Sequence, residues 1–274
     1  MTFTRTPMLT PKLRQWASAP DRASDRPRAM LFDLDDTLLD AYGNPRETWL
    51  RLLAGFAPRL DTHGKSAEQI ADAIIAHGRP LWSDPAISAR WRLDIPGARR
   101  EVTAGAFAAL GLASAADRAL AIEIADAFTQ LRIAEYKLFP QALAVLEGLR
   151  AEGIKLALIT NGCAAIQRHK VERFELERHF DHIQIEGEFG KGKPEPEVYV
   201  HALSRIGCVA DECWMIGDNL EWDVLAPQRL GVHGIWYDPK RAGLAGHMHS
   251  GVPQPQLDAK PARIIHELRE LLAA

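Results

Sequence analysis

Four polar segments carry the residue types of a reactive site: Asp33-Leu34-Asp35-Asp36-Thr37, Thr160-Asn161-Gly162, Lys191-Gly192-Lys193-Pro194, and Gly217-Asp218-Asn219 with Asp223 beyond it. Together they offer carboxylates, a hydroxyl and a lysine. Carboxylates gathered at one place repel and resist joint ionisation. A hard divalent cation removes that conflict, and an oxygen-only donor set favours Mg²⁺. Mg²⁺ takes one or two protein carboxylates and completes its shell with waters and a substrate oxygen, a place that suits a phosphate. The lysine and the hydroxyl would orient the other phosphate oxygens, where charge sits in the transition state. A carboxylate free for in-line attack would form an aspartyl phosphate. A second carboxyl two residues on would protonate the leaving oxygen and then deprotonate water.

Such a site exists only if the segments meet, so the elements between them matter. The run AMLFDL, followed at once by acids and Thr37, reads as a buried strand ending in a polar turn. Ile154–Thr160, His182–Ile185, CWMIG and VHGIWY read as further strands. Helices are expected from about Gln141 to Gly153, Cys163 to Phe174, Glu195 to Ile206, Leu220 to Leu230 and Lys260 to Leu272. This alternation implies a parallel sheet with helices on both faces. Right-handed crossovers then gather the strand C-termini on one edge, where ligands bind in such sheets.

Residues 41–137 read as helices without a strand. Ser66–Gln69 and Ser114–Asp117 are helix-start boxes. Leu120, Ile124, Phe128 and Leu131 share one helical face. Ser83–Pro85 and Pro96–Gly97 are breaks. The expected fold is α/β, a Rossmann-like parallel-sheet core with an inserted all-helical cap. Residues 1–27 are a tail with a short helix near Leu13–Trp16, 28–40 the first strand and its polar turn, 41–137 the cap, and 138–274 the rest of the core. Hinges are expected near Asp40–Gly43 and Lys137–Pro140.

Composition narrows the function classes. The 274 residues are 47% hydrophobic and 25% charged, the profile of a folded globular chain. A net charge of −3 excludes nucleic-acid binding by bulk charge. Cys163, Cys208 and Cys213 form no C-x-x-C pair, fitting neither a disulfide framework nor a zinc cluster, and read as reduced thiols of a cytoplasmic protein. No apolar run approaches the ~20 residues that span a bilayer, and the opening residues lack a secretory signal. The expected partner is a small phosphorylated metabolite, with no nucleic acid and no membrane; the chain is expected as a monomer or homodimer.

In their order the four segments resemble the motifs of the haloacid dehalogenase superfamily. Asp33-x-Asp35-x-Thr37 matches the first, Thr160 the second, Lys193 before Pro194 the third, and Gly217-Asp218 with Asp223 the fourth. The resemblance spans about Arg28 to Tyr237, the cap excepted, and the helical insertion resembles the type with a C1 cap. The stretch TNG…Gln167…Lys170…FDH…GEFGKGKPEPEVY is similar to the branch of nucleotide and sugar-phosphate monophosphatases, pyrimidine nucleotidase among them. The resemblance implies that Asp33 is the nucleophile and a metal ligand. It makes Asp35 the acid/base, lending its backbone carbonyl to the metal. Thr160, Asn161 and Lys193 would hold the phosphoryl group, Asp218 would bind Mg²⁺, and Asp223 would bind it or order its water shell. Hydrolysis of a small phosphate monoester follows. The alternatives are a phosphomutase, a haloacid dehalogenase using the same nucleophile, or a silent binding protein of the same fold. Dehalogenation needs neither a metal nor an acid at position 35.

Each segment alone has an ordinary reading, as a capping turn, a strand end or a solvated lysine; their joint order at strand ends carries the case. Lys191 competes with Lys193 for the lysine position. The pair His247 and His249 lacks a third ligand nearby, and Cys163 lacks a base. Arg90, Trp91 and Arg92 could reach a leaving group, or Trp91 could pack the cap beneath solvated arginines. Arg99 and Arg100 read as a solvated face.

Overall fold

The computed structural model describes residues 26–41, 43–60, 63–243 and 260–272. Most of the expected tail, its short helix near Leu13–Trp16, and the His247 and His249 pair lie outside the described residues. In chain order the first elements are β1 (Ala29–Phe32) and β2 (Leu39–Asp40). Helices α1 (Pro45–Ala54), α2 (Ala57–Leu60), α3 (Ala67–Ser83), α4 (Pro85–Trp91), α5 (Ile95–Ala109) and α6 (Ala115–Glu135) follow. Next come β3 (Lys137–Leu138), α7 (Ala142–Ala151), β4 (Lys155–Thr160), α8 (Ala164–Arg173), β5 (His182–Ile185), α9 (Glu186–Phe189) and α10 (Pro196–Ile206). The chain continues with β6 (Cys213–Gly217), a π-helical turn (Leu220–Leu225), α11 (Ala226–Gln228), β7 (His233–Tyr237) and β8 (Arg263–Ile265).

Six strands form one parallel sheet in the order β5-β4-β1-β6-β7-β8. Successive side chains alternate between its faces. Ala29, Leu31, Ala157, Ile159 and Met215 pack with Val198, Tyr199, Ala202 and Leu203 of α10. Met30, Phe32, Leu156, Leu158 and Ile216 pack with Val145, Leu146 and Leu149 of α7 and Val171 of α8. Both faces are covered, which is why these strands read as unbroken apolar runs. The register pairs Phe32 with Leu158 on one side and Ile216 on the other. Asp33, Thr160 and Asp218 therefore leave the sheet at nearly the same level.

Helices α1 to α6 lie between β1 and β4 and build their own core around Trp49, Leu53, Ile70, Ile74, Phe107, Ile124 and Phe128. Ser66 and Ser114 both start their helices with reciprocal capping boxes. Asp84 caps α4, its side chain accepting from the amides of Ala86 and Ile87, and Pro85 occupies the first turn, where a missing N–H costs nothing. Leu120, Ile124 and Phe128 are buried, but the face does not continue to Leu131. Arg132 is buried there instead, donating to the Ala41 carbonyl, the Thr48 hydroxyl and Glu135. It ties the two crossings between the insert and the sheet. Strands β2 and β3 meet there as an antiparallel ribbon, with Lys137 Nζ 3.4 Å from Asp40 Oδ2. Arg99 stacks on Phe128 at 5.3 Å instead of standing in solvent, whereas Arg100 is exposed and paired with Asp126.

Two expected helices differ. Lys260–Leu272 is not a helix: Arg263–Ile265 adds a sixth strand, and a 3₁₀ turn at Leu268–Leu271 follows. The β-branched pair Ile264–Ile265 joins β7, where Asp238 N donates to the Ile265 carbonyl at 2.8 Å. Sheet pairing overrides the local helical pattern. Leu220–Leu230 opens as the π-helical turn, with the Asn219 side chain accepting from Trp222 N, and ends in the short α11. Among the described residues no helix is long and apolar enough to cross a membrane.

Candidate active site

Asp33 follows β1 directly, its amide donating to the Ile216 carbonyl of β6 at 2.9 Å. The chain then turns sharply. Asp36 takes a left-handed conformation (φ 59), which aspartate tolerates better than most residues, and its carboxylate accepts the Ala41 amide at 3.0 Å. The turn brings Thr37 back, so that its hydroxyl donates to Asp33 Oδ2 at 3.0 Å and accepts the Asp218 amide at 3.2 Å. The first and fourth segments are thereby stitched together through one threonine.

Lys193 lies between the carboxylates. Its Nζ is 2.7 Å from Asp33 Oδ1 and 2.6 Å from Asp223 Oδ1, and only 1% of the side chain is exposed. Lys191 stays outside, paired with Glu197 at 2.6 Å. Asp223 rests against Gly217, where a Cβ would collide with its carboxylate; only glycine allows that approach. The Asn219 amide donates to Asp223 Oδ2 at 3.1 Å.

Oxygens of Asp33, Asp218 and Asp223 all lie within 4.8 Å of one another. Burial, then the charges of Asp33, Asp223 and Asp36, push the Asp218 carboxyl well above the usual carboxylate range. Burial also raises Asp33 against the pull of Lys193, and raises Asp223 to about 7. Burial by itself would lower the Lys193 ammonium; Asp223 and Asp33 outweigh it and hold the group above its ordinary value. Three carboxylates thus face one ammonium. The negative excess and the oxygen-only donors fit a hard divalent cation.

The second segment supplies the opposite wall. Thr160 ends β4, buried, and accepts a hydrogen bond from Gln167 Nε2. Asn161, expected on a phosphoryl group, turns its carboxamide to the main chain of Lys193: Nδ2 donates to the Lys193 carbonyl at 2.8 Å, and Oδ1 accepts its amide at 2.7 Å. Asp35 points to α8, where Lys170 Nζ is 2.7 Å from both carboxylate oxygens. Cys163 sits at the N-cap of α8 without a capping hydrogen bond from its side chain.

Three functional candidates were not singled out from the sequence as site residues: Gln167 and Lys170, quoted above only for family likeness, and Glu186. Glu186 accepts from Gly162 N at 2.9 Å and from Arg92 through Nε and Nη2, the shortest contact being 2.6 Å. Arg92 comes from the helical insert and also covers the Trp222 ring at 5.5 Å. It is therefore neither solvated nor aimed at open space. A signal for Gln167 and Lys170 does exist in the sequence: polar side chains at i and i+3 on the helix that starts shortly after a buried strand.

The family model described as haloacid dehalogenase-like hydrolase matches residues 27–231. The phosphoserine phosphatase of Thermus thermophilus is 31% identical over 259 residues, covering 90% of this chain and 98% of that protein. Among solved structures, the 2-haloacid dehalogenase from Pseudomonas syringae pv. Tomato DC3000 is 29% identical with a TM-score of 0.56, covering 90% of this chain and 98% of the other. The magnesium-bound HAD-hydrolase YfnB from Bacillus subtilis is 25% identical with a TM-score of 0.60, at the same coverages.

Proposed function

The chain belongs to the haloacid dehalogenase-like hydrolase family, and from that premise we propose that it is a Mg²⁺-dependent phosphatase of a small phosphate monoester, acting through a phosphorylated Asp33. The observation that carries this reading is the meeting of Asp33, Asp218 and Asp223 around Lys193 at the end of β1 and β6. It is a phosphoric monoester hydrolase, in keeping with its phosphoserine phosphatase relative.

Asp33 attacks phosphorus in line, and the bond from phosphorus to the substrate oxygen breaks. Asp35 gives a proton to the departing oxygen. In the second half Asp35 takes a proton from water as the water oxygen bonds to phosphorus and Asp33 leaves as a carboxylate. Lys193 and the Thr160 hydroxyl hold the phosphoryl oxygens, and Asn161 positions Lys193 through its main chain. Mg²⁺ held by Asp33, Asp218, Asp223 and the Asp35 carbonyl would supply charge stabilisation to the phosphoryl group. The helical insert acts as a cap that limits water and selects the leaving group. A small metabolite suits this chain better than a nucleic acid, because its net charge is −3, and a nucleotide or sugar phosphate is the class that the family resemblance implies.

The test is release of p-nitrophenol from p-nitrophenyl phosphate. Wild type is active, EDTA abolishes the activity, added Mg²⁺ restores it, and Asp33→Asn is inactive. Equal rates for wild type and Asp33→Asn would remove the mechanism. A panel of phosphorylated metabolites then names the substrate. Halide release from a 2-haloacid, without phosphate release from any of them, would favour the dehalogenase alternative, which the 2-haloacid dehalogenase neighbour keeps in view.

A further inference from the structure

Gln167 and Lys170 lie three positions apart on α8, on one helical face. Both are buried, at 2% and 3% exposure. Lys170 Nζ donates to Asp35 Oδ1 and Oδ2 at 2.7 Å each, and to Gln167 Oε1 at 2.7 Å. Lysine only donates, so the Gln167 oxygen must face it, and this fixes the carboxamide's orientation. The two N–H bonds of Gln167 then go to Asp35 Oδ2, at 3.1 Å, and to Thr160 Oγ1. With that lone pair taken, the Thr160 hydroxyl keeps its own proton to donate, committed here only to a long contact of 3.5 Å with the Asn161 carbonyl. A ring of hydrogen bonds closes over Lys170, Gln167 and Asp35. Lys170 also lies 4.7 Å from the Tyr136 ring centroid, at the residue where α6 hands the chain back to the sheet.

Placing a lysine under cover is costly unless it is paired. Neither residue touches the carboxylates that converge on Lys193; each reaches the site through Asp35 or Thr160. We propose that Gln167 and Lys170 are positioning residues that lock the Asp35 carboxyl in one orientation and hold the Thr160 hydroxyl as a donor to phosphoryl oxygen. This rests on the assignment of Asp35 as acid/base made above. A freely rotating carboxyl would spend less time in line with the leaving oxygen, and proton transfer depends steeply on that geometry.

The experiment measures kcat/KM over a series of substituted phenyl phosphates, from p-nitrophenyl to unsubstituted phenyl. The proteins are wild type, Lys170→Met, Lys170→Arg, Gln167→Met, Asp35→Asn and the double variants Lys170→Met/Asp35→Asn and Gln167→Met/Asp35→Asn. Good leaving groups need little acid assistance and poor ones need much. Lys170→Met is expected to lower kcat/KM on phenyl phosphate by about 10²-fold, and on p-nitrophenyl phosphate by less than about tenfold. Its dependence on leaving-group pKa steepens toward that of Asp35→Asn. Lys170→Arg recovers part of the loss, and Gln167→Met shows a smaller steepening. In the Asp35→Asn background the Lys170→Met effect disappears.

A parallel loss across the series, with an unchanged slope, would overturn the proposal and leave these residues as packing alone. Persistence of the full Lys170→Met effect in the Asp35→Asn background would overturn it as well. If Lys170→Met does not fold, judged by its melting curve, Gln167→Met decides on the same two criteria. An unchanged slope for Asp35→Asn itself would fail the acid/base assignment instead, and the positioning role with it.

Discussion

Charge is handled in opposite ways on the helical insert and at the sheet edge. Across the insert, Arg46–Asp72, Arg59–Glu123 and Arg100–Asp126 join neighbouring helices at 2.9, 2.7 and 2.6 Å, with every side chain about half exposed. At the edge, Lys193 meets Asp33 and Asp223 at 2.7 and 2.6 Å, almost wholly covered. The distances agree to within 0.3 Å and the surroundings do not. An exposed pair gains little, because water takes over when one partner is lost. A buried pair carries a desolvation cost that geometry barely offsets, so it persists where something other than stability requires it. Burial of the pair, more than its length, sets the candidate site apart from the pairs on the insert. Arg92–Glu186 stands between these extremes: it joins insert to core with the glutamate covered and the arginine partly open.

This contrast can be broken by substitution. Lys193→Met leaves two buried carboxylates without their cation and is expected to destabilise the fold by about 3–5 kcal/mol, read by urea unfolding, besides abolishing turnover. A loss too small to resolve would mean that the buried pair behaves like a surface one. Glu186→Gln removes the charge that faces Arg92 and is expected to cost about 2 kcal/mol in the same measurement. Asp218→Asn should act in the other direction. It relieves repulsion among carboxylates that already resist ionisation. In EDTA its melting temperature should therefore rise by a few degrees while activity is lost. A fall in melting temperature would show that the cluster is held by attraction and not against repulsion. The smallest effect belongs to Asp126→Asn, which should leave both melting temperature and activity within the scatter of repeated measurement.

Much of the sheet could be read in the chain. Strands β1, β4, β6 and β7 are short, mainly apolar runs bounded by turns, because a strand covered on both faces needs no polar alternation, whereas β5 at the sheet edge alternates His182, Ile183, Gln184 and Ile185. The boxes at Ser66 and Ser114 were equally legible, since capping is a local matter between residues three apart. What stayed hidden depended on partners distant in sequence. Arg263–Ile265 becomes a strand only because β7 offers an open ladder beside it. Arg132 is buried where Leu131 was expected because a carbonyl at Ala41 and a hydroxyl at Thr48 await it. Asn161 turns toward Lys193 instead of toward an open phosphate place, because a main-chain segment 32 residues on lies within reach of both ends of its carboxamide.

The order of residues along the chain is enough to supply the candidate residue types, their succession, and the alternation that brings them to one edge. Strand register and a parallel crossover have few solutions once apolar runs and turns are given. How each charge is answered depends on the packing of distant segments. That packing gave Lys193 two carboxylates and Lys170 one, and it brought Arg92 from the insert to Glu186. The physical reason is range: hydrogen-bonding turns and apolar periodicity act between neighbours in the chain, whereas the energy of a buried charge depends on whatever the fold sets around it in space.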